Sequence, residues 1–140
     1  MVQVKLQARA DRPAWYVAAP ILFSTEPYEE RRRAQAHLWR PPTDVYHTAD
    51  TLFIRLEIAG MQAADFTITV QRNVLTVHGV RPAPQERCAY HQMEIRYGEF
   101  LSEVELPVAV VVAEAQAEYR DGFLTISLPR MKPRQIHITA

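Results

Sequence analysis

The sequence lacks an excess of charge of either sign, because its 16 basic residues are balanced by 16 acidic ones. Binding to nucleic acid or to an anionic membrane depends on a one-sign electrostatic field, so both kinds of partner are disfavoured. Long apolar runs are missing too. The longest uncharged apolar stretches, residues 17–23 and 107–113, fall well short of the roughly 20 residues that cross a bilayer, so no membrane span is predicted.

Cysteine is nearly absent, since Cys88 is the single one in the sequence. One cysteine cannot form an intramolecular disulfide, and the first residues lack the basic flank and apolar run of a secretory signal. We therefore expect a reducing, cytoplasmic location.

Glycine is also scarce, and this scarcity argues against nucleotide chemistry. The four glycines are far apart in the sequence, whereas a phosphate-binding loop needs them clustered. No serine lies in a G-x-S-x-G motif, and no two histidines have the short spacing of metal ligands. His91 follows Cys88 closely enough for a Cys-His pair, but an ordinary loop thiol is the favoured interpretation. We predict no enzymatic activity, no cofactor and no metal.

Prolines divide the chain into an arm of residues 1–40, a domain of residues 41–130 and a tail of residues 131–140. The arm is predicted to be partly helical, with a short helix from about Pro27 to Trp39. It also carries a cluster of apolar side chains, namely Trp15, Tyr16, Ile21, Leu22 and Phe23.

From Pro41 onward, apolar and polar residues alternate, which is typical of strands with one buried face. The inward residues are Leu52, Ile54, Leu56, Ile58, Phe66, Ile68, Val70, Leu75, Val77, Phe100, Val104, Leu106, Ala113, Ala115, Ala117, Tyr119, Leu124, Ile126 and Leu128. The glycines fall at strand ends, and Asp121-Gly122 is a tight-hairpin signal. About seven such strands predict an all-β fold, an antiparallel immunoglobulin-like β-sandwich.

Several segments, in this order and spacing, resemble the α-crystallin domain of small heat-shock proteins. They are residues 42–46, 58–61, 65–70, 73–79, 98–107 and 117–129, and the last of these is similar to the A-x-x-x-n-G-V-L signature almost throughout. The resemblance covers about ninety residues and the tail, where Ile136-His137-Ile138 resembles the family's I-x-I motif.

The resemblance implies an ATP-independent holdase chaperone that binds unfolded client proteins through the arm and a groove, and works as dimers within a larger homo-oligomer. Ile136 and Ile138 would insert into that groove on a neighbouring subunit. The alternative is that the tail forms an edge strand of its own domain. The groove would be lined by Phe66, Ile68, Val70, Ala115, Ala117 and Tyr119.

The loop of residues 80–97 is long enough for a short extra strand. In relatives such a loop pairs with the opening strand of a neighbour, which implies a dimer contact between two sets of residues. The loop contributes Ala89, Tyr90, His91 and Gln92, and the acceptor strand contributes Asp44, Val45 and Tyr46. The alternative, a disordered surface loop, is favoured by Pro82 and Pro84.

Two departures from the family pattern bear on assembly. Ser102 stands where the family usually carries arginine, and residues 108–112 replace a usually polar turn with valines and an alanine. This apolar segment is either a buried turn or an exposed surface for clients or subunits. The alternative function for the whole chain is a p23-type co-chaperone or another protein-interaction β-sandwich module, which usually lacks the loop and the tail.

Overall fold

A computed structural model describes residues 2–3 and 38–139, which form eight strands and two short 3-10 turns. From the amino end, the strands are β1 (Val2–Gln3), β2 (Thr43–His47), β3 (Thr51–Glu57), β4 (Phe66–Gln71), β5 (Val74–Arg81), β6 (Gly98–Glu105), β7 (Gln116–Arg120) and β8 (Phe123–Pro129).

The strands make two four-stranded antiparallel sheets, with the orders β1-β4-β5-β6 and β2-β3-β8-β7. The predicted all-β sandwich is confirmed. Within the described part of the chain, no helix has the length and apolar character that would let it cross a membrane.

Alternate residues of each central strand fill the space between the sheets. On β3, Leu52, Ile54 and Leu56 are fully buried, whereas Arg55 and Glu57 point to solvent. The same alternation on β4, β5, β6 and β8 completes one apolar core. Period-two patterning therefore set the inward face correctly on these strands.

Two tight turns fix the register of the hairpins. Asp121 and Gly122 both have positive φ values, 52° and 81°, which suits the two-residue turn predicted between β7 and β8. Arg72 and Asn73, between β4 and β5, adopt φ values of 48° and 65°. The Asn73 side chain also donates a hydrogen bond to the carbonyl of Leu106, over 3.1 Å. This bond ties the β4–β5 turn to the end of β6.

Gly79 is required by close packing in the core. It lies opposite Phe100 in the β5–β6 ladder, and a Cβ atom added to it would stand 2.6 Å from Cζ of that ring. It would also stand 2.8 Å from the carbonyl oxygen of Asp65, which is backbone and cannot easily move. The absence of a side chain at Gly79 thus leaves room for the Phe100 ring.

Several predicted boundaries were wrong. β5 continues through Val80 to Arg81, so the long loop begins two residues later than predicted. Ala113 belongs to the 3-10 turn Val112–Glu114 and is exposed, and β7 begins only at Gln116.

Trp39, the predicted last residue of the arm helix, is extended and forms a parallel bridge with Phe100. Its carbonyl accepts from the amide of Leu101 over 3.0 Å. Its ring lies 5.5 Å from the Phe100 ring, and its indole N–H donates to the carbonyl of Gly98 over 3.3 Å. The Arg81 guanidinium lies 4.5 Å from the Trp39 ring centroid. The indole therefore covers the outer edge of β6 and packs on the core.

We predict that Trp39→Ala lowers the free energy of unfolding by about 2–3 kcal/mol, because it removes half-buried aromatic packing and a hydrogen bond. Trp39→Phe keeps the ring contact but loses the indole donor, so it should lower the free energy by about 1 kcal/mol. Urea titration of the full chain measures both. Met93→Ala, at a side chain that is 62% exposed, is the control and should change little. Equal stability of Trp39→Ala and the control would show that this contact does not stabilise the sandwich.

Candidate functional site

The predicted groove lies between β4 and β7, which are neighbours on one side of the sandwich. Phe66 of β4 and Tyr119 of β7 meet there, with their ring centroids 5.1 Å apart. The structure therefore brings the two predicted walls of the groove together.

Tyr119 is held in place by its hydroxyl group. The hydroxyl donates to the carbonyl of Ile58 over 2.9 Å and accepts from the amide of Met61 over 3.3 Å. Because both partners lie in the segment between β3 and β4, the phenol links β7 to this connection beside Phe66.

Most side chains of the predicted groove residues lie in the core. Phe66, Ile68, Val70, Ala115 and Ala117 are each at most 5% exposed, and Tyr119 is half-buried. A guest segment would therefore meet mainly the strand edges and the mouth of the groove, and would reach these side chains only if the sheets separate.

The edge of β4 carries a pairing that the sequence analysis missed. β1 lies antiparallel to β4, with Val2 opposite Val70 and Gln3 opposite Thr69. It also approaches the 3-10 turn Val112–Glu114, which directly precedes β7. An extended segment of this chain therefore already lies along the mouth of the groove.

An open pocket of about 340 Å³ lies at the same end of the sandwich. Its lining is largely apolar and combines the end of β4, the turn that follows it, the segment after β6 and the first residue of the tail. The lining residues are Val70, Gln71, Arg72, Asn73, Leu106, Ala109, Val110, Val112 and Met131. No motif in the sequence marks this pocket, since its residues come from four separate segments.

The apolar segment of residues 108–112 is neither fully buried nor a free surface. Val108, Val110 and Val112 are half-buried and pack against the core, while Ala109 is exposed. Two backbone hydrogen bonds join this segment to the start of the tail. The amide of Val111 donates to the carbonyl of Pro129 over 2.8 Å, and the amide of Met131 donates to the carbonyl of Ala109 over 2.9 Å. The segment therefore anchors the root of the tail.

Beyond this root, the tail is extended into solvent. Ile136 and Ile138 are 84% and 92% exposed, and residues 131–139 contain no strand. The alternative that the tail is an edge strand of its own domain is therefore wrong for this structure.

Arg130 fixes the tail root from the other side. Its guanidinium donates to the carbonyls of Thr48 and Ala49 over 3.1 and 3.2 Å, and its amide donates to the carbonyl of Asp50 over 2.8 Å. These bonds tie the end of β8 to the turn between β2 and β3.

The predicted dimer loop projects from the opposite side of the sandwich. Residues 82–97 contain no strand, so the predicted short strand is not formed in the single chain. Tyr90, Met93 and Ile95 are more than half exposed, and Ala89, His91 and Gln92 are also exposed. A lone extended segment has no ladder partner in its own chain, which accounts for the missing strand.

The base of this loop is rigidly attached. Arg81 donates from Nε to the carbonyl of Arg96 over 2.7 Å, and its guanidinium lies 5.7 Å from the Tyr97 ring centroid as well as over Trp39. The two ends of the loop are thus held together at its base while its tip extends outward.

Cys88 and Tyr90 interact near the tip of the loop. The pKa of Tyr90 is raised, chiefly because a charge on the Cys88 sulfur would repel the phenolate, and also through their side-chain hydrogen bond.

The predicted acceptor strand, β2, is the outermost strand of its sheet in the described part of the chain. Val45 and Tyr46 are 41% and 45% exposed, Asp44 is exposed, and the Tyr46 ring stacks on Phe53 with centroids 5.2 Å apart. A neighbouring chain could therefore reach the outer edge of this strand.

Ser102, which the sequence analysis predicts to stand in place of a family arginine, is fully buried beneath β2. Its hydroxyl shares a hydrogen bond of 2.9 Å with that of Thr43, which in turn donates to the carbonyl of Pro41 over 2.9 Å. Because Ser102 lies on β6 and Thr43 on β2, this bond joins the two sheets within one chain.

The predicted client-binding residues Trp15, Tyr16, Ile21, Leu22 and Phe23 lie outside the described residues.

This combination of an antiparallel sandwich, a long loop before β6 and an I-x-I tail defines the class of small heat-shock chaperones. Residues 44–139 match the Hsp20/alpha crystallin family. The chain is 28% identical over 130 residues to the 18 kDa antigen 1 of Mycobacterium avium, covering 86% of this chain and 88% of that protein. It is 31% identical over 119 residues to the 19.0 kDa class II heat shock protein of Oryza sativa subsp. japonica, covering 78% of this chain and 66% of that protein.

Solved structures agree on the fold. HSP18.5 from E. histolytica superposes with a TM-score of 0.61 at 22% identity, covering 73% of this chain and 99% of that one. Heat shock protein 16.0 from Schizosaccharomyces pombe superposes with a TM-score of 0.60 at 23% identity, covering 72% of this chain and 99% of that one. The chain belongs to the Hsp20/alpha crystallin family, whose members are non-enzymatic, ATP-independent chaperones. The family resemblance and the expectation of a non-enzymatic chaperone are thereby confirmed.

Proposed function

We propose that this protein is a holdase that binds unfolding proteins and prevents their aggregation, working as dimers within a larger oligomer. The observation that carries the proposal is that two extensions of a closed sandwich expose apolar side chains. Tyr90, Met93 and Ile95 are exposed on the loop, and Ile136 and Ile138 on the tail. A holdase needs such surfaces and no reacting atoms.

The dimer contact is the pairing of one subunit's loop with the other's β2. The outer edge of β2 has backbone groups that an added strand can satisfy, and residues 89–92 lie in an exposed loop that lacks a ladder of its own. Since Trp39 covers the edge of β6, the pairing of two β6 strands is the less favoured interface.

The larger assembly is held by the tail. Ile136 and Ile138 have the same direction in an extended segment, so both can enter the mouth of a neighbour's β4–β7 groove. Burial of each stabilises the contact by roughly 1.5–3 kcal/mol before ordering costs, which makes a single tail a weak clamp. Many tails closing one particle act together through effective concentration.

Clients bind the arm through Trp15, Tyr16, Ile21, Leu22 and Phe23, and bind the groove when tails leave it. The balanced charge of 16 basic and 16 acidic residues favours proteins over nucleic acid as partners, and no nucleotide takes part. We place this activity in the cytoplasm, as the single cysteine predicts.

The purified protein should suppress aggregation of a heat-denatured client at near-stoichiometric subunit ratios without ATP. Light scattering of the client, with and without nucleotide and at several temperatures, measures this. Suppression that requires nucleotide, or no suppression at any temperature, would exclude the holdase.

Replacing residues 87–92 by a short Gly-Ser linker should convert dimers to monomers, because it removes the segment that pairs with β2. Size-exclusion chromatography with light scattering gives the mass, and circular dichroism checks the fold. Pro82→Ala together with Pro84→Ala, which alters the same loop but leaves residues 87–92 intact, is the control and should remain dimeric. A variant that stays dimeric without residues 87–92 would move the interface elsewhere.

Replacing both Ile136 and Ile138 by alanine should break the large oligomer into dimers or other small species, because the apolar anchors of the tail are lost. Ile136→Val with Ile138→Val keeps β-branched side chains and should retain most of the assembly. Light scattering reports particle mass. If the alanine variant keeps its full mass and an unchanged circular dichroism spectrum, other contacts hold the particle.

A further inference from the structure

The β4 edge has an occupant from its own chain. β1 pairs antiparallel with β4 at Val70 and Thr69 and approaches the turn Val112–Glu114 that leads into β7. Val70 and Val112 also line the open pocket at this end of the groove. The amino-terminal residues are therefore seated where the groove opens.

The sequence at this strand is similar in pattern to the tail. Val2-Gln3-Val4 and Ile136-His137-Ile138 both place β-branched aliphatic residues on either side of one polar residue. An extended segment with this pattern suits a sheet edge, because β-branched side chains favour the pleated conformation and the backbone supplies the ladder bonds. The same edge can thus accept either end of the chain, but not both at one position.

We propose that β1 is an intramolecular competitor of the tail, so that a neighbour's Ile136 and Ile138 enter the groove only when β1 leaves the β4 edge. The role of the tail in this inference rests on the proposed function, whereas the β1–β4 pairing does not. The amino-terminal residues then set how readily subunits assemble and how often the groove opens to clients.

The strength of this competition follows from its geometry. A two-residue strand makes few ladder bonds and is marginal by itself, so it opens readily. It belongs to the same chain as β4, however, which gives it a high effective concentration at that edge. If β1 occupies the edge most of the time, its removal raises the apparent affinity for a tail by roughly 3- to 10-fold.

The first experiment tests whether β1 covers the β4 edge, in a protein whose own tail cannot compete. In the full chain carrying Ile136→Ala and Ile138→Ala, Val2→Pro with Gln3→Pro removes the donors and disfavours the ladder. Hydrogen exchange over residues 66–71 should accelerate at least several-fold, while exchange over the inner strand β8 stays unchanged. Val2→Thr with Gln3→Thr keeps strand-forming residues and should exchange like the parent. Unchanged exchange over residues 66–71 in the proline variant would show that β1 does not cover the β4 edge.

The second experiment tests the competition. A fluorescent peptide of residues 131–140 is titrated into the same three full-length proteins, and its anisotropy gives the affinity. The proline variant should bind it roughly 3- to 10-fold more tightly than the parent and the threonine control. A peptide with alanine at both isoleucine positions should not bind.

The outcomes separate the two ideas. Equal affinity of the three proteins for the peptide would overturn the competition while leaving the tail site intact. If none of the three proteins binds the peptide, the groove does not receive the tail. The proposed competition would then be wrong, even if hydrogen exchange confirms the β1–β4 pairing.

Discussion

The backbone groups at the edges of the two sheets are the constraint on which the other features depend. Pairing with a neighbour on each side satisfies the backbone groups of the inner strands, but the outer strands keep donors and acceptors that face outward. Trp39 covers part of the β6 edge and β1 part of the β4 edge. β2, outermost in the described part of the chain, has exposed side chains at Val45 and Tyr46. The proposed dimer and tail contacts both use these edges.

A single core layer also explains how Ser102 is accommodated in the interior. The position faces inward, where a serine hydroxyl can reach Thr43 on the opposite sheet. A buried hydroxyl that is hydrogen-bonded to another costs little, whereas an unpaired one would be destabilising. At this position a short hydrogen bond joins the two sheets of one chain.

Much of the fold could be predicted from the sequence because its strands carry a strong local signal. The alternation in β3, β4 and β8 persists for several residues, and Asp121-Gly122 has the backbone preferences of its turn. β1 and the Trp39 bridge are too short to have a period, and their partners lie far away in sequence. The pocket was missed for the same reason. Ala113 was wrongly assigned to a strand because it extends the alternation of Ala115 and Ala117 with polar residues, yet it lies in the 3-10 turn before β7.

For the candidate site, the sequence predicted which segments are used but not their conformation. Residues 89–92 and the two tail isoleucines are exposed, and they form no strand in the single chain. Phe66, Ile68 and Val70 lie on β4, and Ala117 and Tyr119 lie on the facing β7 with Ala115 just before it, yet most of these side chains lie in the core. A linear pattern shows which side chains share a face, and only the packing shows how much of that face is open.

The anchored root of the tail acts as the fixed end of a tether. Arg130 and Met131 are held by the turn between β2 and β3 and by Ala109, so the tail is anchored as far as Met131. A fully extended chain from Met131 to Ile136 spans roughly 17 Å. Any groove that captures Ile136 must therefore lie within a sphere of about that radius around the root. In the proposed oligomer, this short reach would restrict how neighbouring sandwiches are oriented, and so limit the curvature of the assembly.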